Sequence, residues 1–306
     1  MRRDLGALCC IGSNFSVEGC PARPDIVPVV GYEILSGSAR AQTPRRRPPR
    51  TWTAAPLADQ PAQLIKLERM TDRRPFAVLF DLDGTLIDSI GLLLASVKHT
   101  FTGRSPAPTE EEWIAGIGTP LAKQLRPFAA SDGEAAKLQL AYRTFQREHH
   151  DRMTTAFEGV PETLAELDKR GHPMGLVTSK SNEMMQRAIE FVGLARYMKT
   201  MIGADSCTTH KPDAFPVLLA LQQLGYNTDE AVFVGDSPHD VHAGNAAKVV
   251  SIAALWGPFT REQLAPASPA HYLDSIRDLP DLLDSIQIGA GRNDPASDDR
   301  GPTTDT

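Results

Sequence analysis

The chain has 306 residues, of which 41% are hydrophobic, enough apolar material for one or two folded domains. Its net charge of −6 is divided unevenly, because residues 1–74 carry 12 Lys and Arg against 7 Asp and Glu, whereas the remainder carries 20 against 31. The acidic remainder argues against a nucleic-acid partner, and no apolar run reaches the roughly 18 residues that a membrane span requires.

The first 74 residues show neither helical nor strand periodicity. The run AQTPRRRPPRTWTAAP is rich in Pro and Arg, and the start MRRDLGALCCIG lacks the long apolar stretch and clean cleavage site of a signal peptide. We therefore expect residues 1–74 to be a disordered extension, with a basic arm for an acidic partner as the alternative. Residues 289–306 are expected to be a disordered tail. The four scattered cysteines indicate no disulfide framework and favour a cytoplasmic protein.

Five short apolar runs are predicted to be buried strands. They are Phe76–Phe80, Met174–Thr178, Thr200–Gly203, Ala231–Gly235 and Val249–Ala253. The stretches between them, such as DAFPVLLALQQLG, carry apolar residues at the i, i+3, i+4 spacing of helices. Strands that alternate with helices predict an α/β fold, with a doubly wound parallel sheet built from residues 75–88 and 156–288.

The first and second predicted strands are separated by about seventy residues more than a single helical crossover needs. These residues are not loop-like, since SIGLLLASVKHTF, TEEEWIAGI and DGEAAKLQLAYRTFQREHHDRM each read as a helix. Thr109 and Glu112 have the spacing of a capping box at the start of the second helix. We therefore predict an inserted helical domain over residues 89–155, which emerges beside the end of the first strand and covers it.

Pairs of carboxylates follow two of the predicted strands. Asp81 and Asp83 come directly after the first strand, and Asp236 and Asp240 come after the fourth. Ligands of open parallel sheets bind beyond the carboxyl ends of the strands. One such pair alone would be read as a turn cap, but four converging acids need a cation, and carboxylates are typical ligands of Mg²⁺. The sequence therefore predicts a magnesium site at this edge.

Two further runs predict a site for a phosphate group. GLVTSK ends the second strand with Thr178 and Ser179 at a helix entrance, where a hydroxyl and a backbone amide can bind an anion. HKPDAFP places Lys211, a positive charge, between the third and fourth strands. Each run alone would be an ordinary helix cap or surface turn, so their order along the chain carries the prediction.

Taken in order, DLDGT, TSK, KPD and GDSPHD resemble the four motifs of the haloacid dehalogenase superfamily of phosphohydrolases. The resemblance extends over roughly Phe76 to Leu283, and GIGTPL at 116–121 is similar to the phosphoglycolate phosphatase-like branch. It implies a Rossmann-like core with strand order 3-2-1-4-5 and a small α-helical cap. TSK stands where that branch commonly has TNK, which leaves the subfamily open.

The resemblance also implies roles for the acids. Asp81 would be the nucleophile that forms an aspartyl-phosphate, and Asp83 would protonate the leaving oxygen and later activate water. Asp81, the backbone carbonyl of Asp83, and Asp236 would hold Mg²⁺, with Asp240 in support.

The phosphate group would be bound by the remaining motif residues. Thr178 and Lys211 would neutralise the phosphoryl group, with the Ser179 amide as a further contact. Gly118, in the GIGTPL turn, is expected to meet the substrate from the cap. Tyr142 and Arg143, on a later cap helix, could add a hydrogen bond and a positive charge, although a solvated surface charge explains Arg143 equally well.

These expectations describe a Mg²⁺-dependent phosphatase for a small phosphorylated metabolite such as 2-phosphoglycolate, acting as a monomer or homodimer without nucleic-acid or membrane partners. Inorganic pyrophosphatase is the first alternative. A phosphosugar mutase of the β-phosphoglucomutase type also keeps both acids, and it would differ in releasing no free phosphate. A catalytically silent binding module is the third, and intact Asp81 argues against it.

Overall fold

The computed structural model of the chain describes residues 74–290. Of the residues expected to be disordered, 1–73 and 291–306 lie outside the described residues, whereas residues 289 and 290 belong to the last helix. The strands are β1 (Ala77–Phe80), β2 (Ile87–Asp88), β3 (Thr155–Ala156), β4 (Met174–Val177), β5 (Met198–Ile202), β6 (Ala231–Gly235), β7 (Val250–Ala254) and β8 (His271–Leu273). The helices are α1 (Ile90–Thr100), α2 (Glu110–Ala115), α3 (Leu121–Leu125), α4 (Asp132–His149), α5 (Val160–Lys169), α6 (Asn182–Phe191), α7 (Phe215–Leu224), α8 (Pro238–Ala247), α9 (Arg261–Leu264) and α10 (Leu279–Ala290). Within residues 74–290, no helix has the length and apolar character to cross a membrane.

Six strands form one sheet in the order β5-β4-β1-β6-β7-β8, and every neighbouring pair is parallel. The first five positions have the order that the resemblance implied, so β1 lies between β4 and β6. The sixth strand, β8, was not predicted. It is only three residues long and begins with His271, so it shows no apolar run to distinguish it from a loop.

Helices cover both faces of this sheet. In β1, Val78 and Phe80 pack on the side of α5, α6 and α10, whereas Ala77 and Leu79 pack on the side of α7 and α8. Since successive side chains of a strand point to opposite faces, a strand covered on both sides is apolar at every position. This explains the uninterrupted apolar runs in the sequence and confirms the α/β class.

Helices α1 to α4 are inserted between β2 and β3, and we call residues 90–152 the helical insert. The insert has an apolar cluster of its own, which includes Trp113, Leu125 and Tyr142. The predicted capping box is present, because Thr109 Oγ1 accepts from the Glu112 backbone N–H and the Glu112 carboxylate accepts from the Thr109 N–H. The insert therefore packs as a separate helical layer rather than as a long loop.

The two connections to the insert run side by side. Strands β2 and β3 pair antiparallel, with Ile87 opposite Ala156 and Asp88 opposite Thr155. The chain thus leaves the sheet at the carboxyl end of β1 and returns to it through a short two-stranded ribbon. This ribbon holds the insert above the carboxyl end of β1, where the predicted acids lie.

Candidate active site

The carboxylates predicted from the two strand ends meet in the structure. Strands β1 and β6 are neighbours, and the Asp81 backbone N–H donates to the Val234 carbonyl at 2.9 Å, so their carboxyl ends lie together. Asp81, Asp236 and Asp240 are all buried, and their carboxylate oxygens lie within 4.8 Å of one another. Such a group of buried acids needs a positive charge.

Lys211 supplies part of that charge from the loop between β5 and α7. Its Nζ donates to Asp81 Oδ1 at 2.7 Å and to Asp240 Oδ1 at 2.5 Å, and the residue is only 2% exposed. The other oxygen of Asp240 accepts from the Ser237 hydroxyl at 2.5 Å at the start of α8. Asp240 is therefore held on both sides, and Lys211 ties the end of β1 and the first turn of α8 to the loop before α7.

Asp236 has an oxygen left without a partner. Thr85 Oγ1 donates to Asp236 Oδ1 at 2.7 Å, while Asp236 Oδ2 is buried and makes no hydrogen bond with the residues that the structure describes. A Cβ placed on Gly84, whose φ is +88°, would lie 2.5 Å from that Oδ2. Only glycine leaves the space next to this oxygen open. A buried acceptor beside two further carboxylates fits a divalent cation bound through oxygen ligands.

Burial alters the acidity of this cluster. Desolvation, opposed by the nearby Lys211 and reinforced by Asp240, raises the pKa of Asp81 to about 7. Desolvation and the charges of Asp240 and Asp81 raise the pKa of Asp236 well above its usual range. Both groups hold protons in the metal-free folded protein at a pH where the unfolded chain has released them.

Stabilisation by Mg²⁺ is therefore expected to increase with pH. Below a pH of roughly 7 the cation must displace a proton from Asp81, whereas above it that carboxylate is free to bind. The raised pKa of Asp236 acts in the same direction. Without Mg²⁺ the sign is the opposite: the raised pKa values favour the folded state at low pH, and this contribution is lost as pH rises through about 7. The gain in melting temperature on adding Mg²⁺ should be larger at about pH 8 than at about pH 6.

Asp236→Asn is the matched control for this measurement, because it removes the carboxylate that carries the unpartnered oxygen. The gain should be nearly absent in the variant at both pH values. An equal Mg²⁺-induced gain at both pH values in the parent protein would contradict the expectation.

Asp83 stands apart from the three clustered carboxylates. Its Oδ1 accepts from Ser89 Oγ at 2.5 Å and from Lys180 Nζ at 2.6 Å, and it lies in the wall of an adjacent cavity. Ser89 and Lys180 were missed by the sequence reasoning. Lys180 is the last residue of the TSK run, and a lysine beside a phosphate-binding turn was the available signal. Both contacts use Oδ1, which leaves Oδ2 to face the cavity.

The cavity has a volume of about 240 Å³ and lies between the sheet edge and the helical insert. Asp81, Asp83, Thr178 and Ser179 line it from the sheet side, as the sequence predicted, and Gly118 lines it from the insert. Lys211 is not part of the lining and lies behind Asp81. These five predicted residues therefore face one cavity that is partly open to solvent.

Gly118 joins the insert to the sheet side. Its carbonyl accepts from Ser179 Oγ at 2.5 Å, so the Ser179 hydroxyl holds the insert while its amide was the group predicted to contact phosphate. The φ of Gly118 is +97°, and a Cβ there would lie 2.7 Å from Ser237 Oγ. The GIGTPL turn thus reaches the start of α8 as well as the end of β4, and glycine is required for that approach.

Comparisons with known proteins give a consistent result. The family described as haloacid dehalogenase-like hydrolase matches residues 78–254. Pyrophosphatase PpaX of Bacillus velezensis is 37% identical over 212 residues, covering 69% of this chain and 97% of that protein. Pyrophosphatase PpaX of Bacillus pumilus is 36% identical over 204 residues, covering 66% and 93%.

Solved structures share the fold. A protein from Haemophilus somnus described as a predicted phosphoglycolate phosphatase has a TM-score of 0.63 at 22% identity, covering 69% of this chain and 99% of that one. A hydrolase from Pseudomonas syringae has a TM-score of 0.63 at 23% identity, covering 69% and 99%. At these identities the likeness concerns the fold, and it confirms the α/β class predicted from the sequence.

Proposed function

This chain belongs to the haloacid dehalogenase-like hydrolase family, and from that premise we propose that it is a Mg²⁺-dependent phosphatase of a small phosphorylated substrate. The observation that carries the proposal is the cluster of Asp81, Asp236 and Asp240 around Lys211, at the edge of a cavity lined by Asp83 and Thr178. Carboxylates, a buried cation and hydroxyl groups in one place suit phosphoryl transfer, which depends on positioning and charge stabilisation.

Phosphoryl transfer would begin at Asp81. Lys211 donates to Oδ1 of this residue and so orients the carboxylate, whose oxygen attacks phosphorus. The bond from phosphorus to the leaving oxygen breaks as the aspartyl-phosphate bond forms. Bound Mg²⁺, held by Asp81, Asp236 and the backbone carbonyl of Asp83, would neutralise negative charge on the phosphoryl group. Thr178 and the Ser179 amide would contact the remaining phosphoryl oxygens.

Asp83 would carry the proton in both halves of the reaction. Ser89 and Lys180 hold its Oδ1, so Oδ2 is the oxygen that gives a proton to the departing group. The same oxygen then takes a proton from the water that attacks the aspartyl-phosphate. Free phosphate leaves and Asp81 is regenerated, so one water is consumed for each phosphoryl group transferred.

Two substrate classes fit the cavity. Its volume of about 240 Å³ is below the range typical of sites for drug-sized ligands, which favours a substrate of few atoms. Pyrophosphate is favoured by the relatives named pyrophosphatase PpaX. A small phosphate monoester such as 2-phosphoglycolate is favoured by the likeness of the GIGTPL turn to the phosphoglycolate phosphatase-like branch.

The test measures phosphate release from pyrophosphate, 2-phosphoglycolate and a sugar phosphate, each with Mg²⁺ and with a chelator. We expect Mg²⁺-dependent release from at least one of the first two, with kcat/KM deciding between them. Conversion of the sugar phosphate to an isomer, without release of phosphate, would instead identify a mutase. If no phosphate leaves any of these compounds or a wider panel of phosphate esters, the proposed activity is wrong.

Replacement of Gly118 by valine should change the substrate ranking more than it changes Mg²⁺ binding. The new side chain would collide with Ser237 and displace the GIGTPL turn, whereas the proposed metal ligands belong to the sheet edge. We expect kcat/KM to change unequally across the substrate panel, by about tenfold for at least one compound. The Mg²⁺ concentration for half-maximal activity should stay nearly constant.

Gly91→Val is the matched control, because Gly91 lies in the first turn of α1 and a Cβ there would meet no atom within 4 Å. This variant should keep the parental ranking. An unchanged ranking in Gly118→Val would show that the GIGTPL turn takes no part in substrate selection.

A further inference from the structure

One helix of the insert presents a set of polar groups to the cavity that the proposed chemistry does not use. Tyr142, Arg143 and Gln146 of α4 all line it, on the side away from the sheet. Tyr142 and Gln146 are one helical turn apart and therefore lie on the same face. Leu93 and Trp113 complete this wall with apolar surface.

Gln146 is a largely buried residue whose amide borders the cavity. The residue is 5% exposed, and its side chain makes no hydrogen bond with the described residues. Among those residues, the fully enclosed polar atoms without a partner belong to other side chains, so the Gln146 amide is reached from the cavity. Its donors and acceptor are therefore open to water or to a ligand there.

Arg143 is a cation without an ion pair in the described part of the chain. The lining contains one other permanent cation, Lys180, which is bound to Asp83. Glu183 lies close enough to Arg143 for this arginine to help lower its pKa, but Arg147 occupies both Glu183 oxygens, at 2.8 and 2.6 Å. The Arg143 guanidinium is half-buried, and the acid beside it is already bound to Arg147. It is therefore available to bind an anion from the cavity.

Tyr142 is the member of this group of side chains that lies near Asp83. Burial and the nearby Asp83 carboxylate both raise the pKa of the Tyr142 hydroxyl, so it remains a neutral donor. Its closeness to Asp83 sets the α4 side chains next to the carboxyl that would protonate the leaving oxygen. A group bound by these side chains therefore lies on the Asp83 side of the cavity.

We propose that Arg143 and Gln146 form a subsite for a second anionic group, a carboxylate or a phosphoryl, carried by the leaving half of the substrate. The inference rests on the proposed function, because it takes the Asp83 side of the cavity as the leaving-group side. A planar guanidinium and an amide N–H offer several donors to an oxyanion with several acceptors. The substrate would thus be a small compound charged at both ends.

The test compares substrates that differ in this group alone. 2-Phosphoglycolate and 2-hydroxyethyl phosphate have nearly the same shape, but the second has a hydroxyl in place of the carboxylate. Pyrophosphate and methyl phosphate make the corresponding comparison for a second phosphoryl group. Because phosphate is a much better leaving group than methoxide, this second pair is compared by the change in its kcat/KM ratio on substitution in α4. The parent protein should have the higher kcat/KM for 2-phosphoglycolate within the first pair, or lose preference for pyrophosphate on substitution within the second, and the pair that shows the effect distinguishes carboxylate from phosphoryl.

Substitutions in α4 then show which of its residues cause the preference for the charged compounds. Arg143→Met should lower kcat/KM for the preferred charged compound by at least about tenfold and leave its uncharged analogue within about threefold. Gln146→Leu, which keeps the side-chain volume, should act in the same direction with a smaller effect. Lys137→Met is the matched control, since Lys137 is an exposed cation on the same helix and does not line the cavity. It should leave the preference unchanged.

Binding of non-hydrolysable compounds separates this inference from the proposed activity. Methylenediphosphonate should bind the parent more tightly than methylphosphonate, and Arg143→Met should remove most of the difference. Turnover without preference for the charged member of either pair, or an equal loss on both members in Arg143→Met, would overturn the subsite and leave the phosphatase intact. Discrimination in binding without turnover of any ester would overturn the phosphatase and leave the subsite intact.

Discussion

Asp81→Asn is expected to lower phosphatase activity by at least about a thousandfold while the protein stays folded. The amide has almost the shape of the carboxylate, but it can neither attack phosphorus nor bind Mg²⁺ as an anion. Burial already raises the pKa of Asp81, so a neutral group at this position costs little stability. Lys211 keeps its contact with Asp240. Phosphate release and thermal unfolding, measured on the same preparation, check both parts.

Asp88→Asn is the control for this substitution. Asp88 is an exposed carboxylate in β2, seven residues further along the chain, and its loss should leave kcat/KM nearly unchanged. Phosphate release by Asp81→Asn at the parental rate would rule out Asp81 as the nucleophile. Activity lost together with the folded state would instead assign Asp81 a structural role.

Lys211→Met is expected to damage both stability and activity. Methionine is about as long as lysine but leaves Asp81 and Asp240 without the ammonium group that lies between them. Breaking a buried ion pair on one side typically costs about 3–5 kcal/mol, because the remaining charge stays buried. We expect a loss of that order in the free energy of unfolding without Mg²⁺, and a fall in kcat of about a hundredfold or more.

Urea unfolding of this variant with and without Mg²⁺ tests the cause of the loss. The cation should restore part of the stability, since it supplies positive charge to the same carboxylates. Lys199→Met, at an exposed position of β5, should behave like the parent protein. Unaltered unfolding of Lys211→Met in the absence of Mg²⁺ would mean that the ion pairs of Lys211 contribute nothing to the folded state.

The strands of the sheet were predictable where burial on both faces leaves no polar position. β1 and β6 are apolar throughout, so their runs in the sequence are distinct. β8 was not predictable in this way, because it lies at the sheet edge and its first two residues are only half-buried. Three helices of the insert were recognisable from periodicity and, at Thr109, from the capping box. The five-residue α3 was not predicted, because it is too short to show a helical period. The placement of these helices over the sheet depends on tertiary packing.

The site residues that directly follow a strand were predictable from the sequence. Asp81, Asp236 and Thr178 follow strands directly, and parallel strands bring their carboxyl ends to one edge. Gln146 carries no such signal, because a glutamine in the middle of a polar helix has the pattern of a solvent-facing residue. Its burial results from tertiary packing within the insert, where α4 lies against α1, and local sequence does not encode that packing.

The pairing of β2 with β3 has a consequence for the evolution of this protein. Asp88 and Thr155 lie opposite each other, so a turn of two residues between them would close the chain without moving β1. The sheet therefore does not depend on the number or sequence of residues that enter and leave through the ribbon. Exchange or loss of the whole insert would alter the compounds admitted to the cavity while Asp81 and Lys211 stay in place. The reaction chemistry and the substrate specificity can therefore evolve separately.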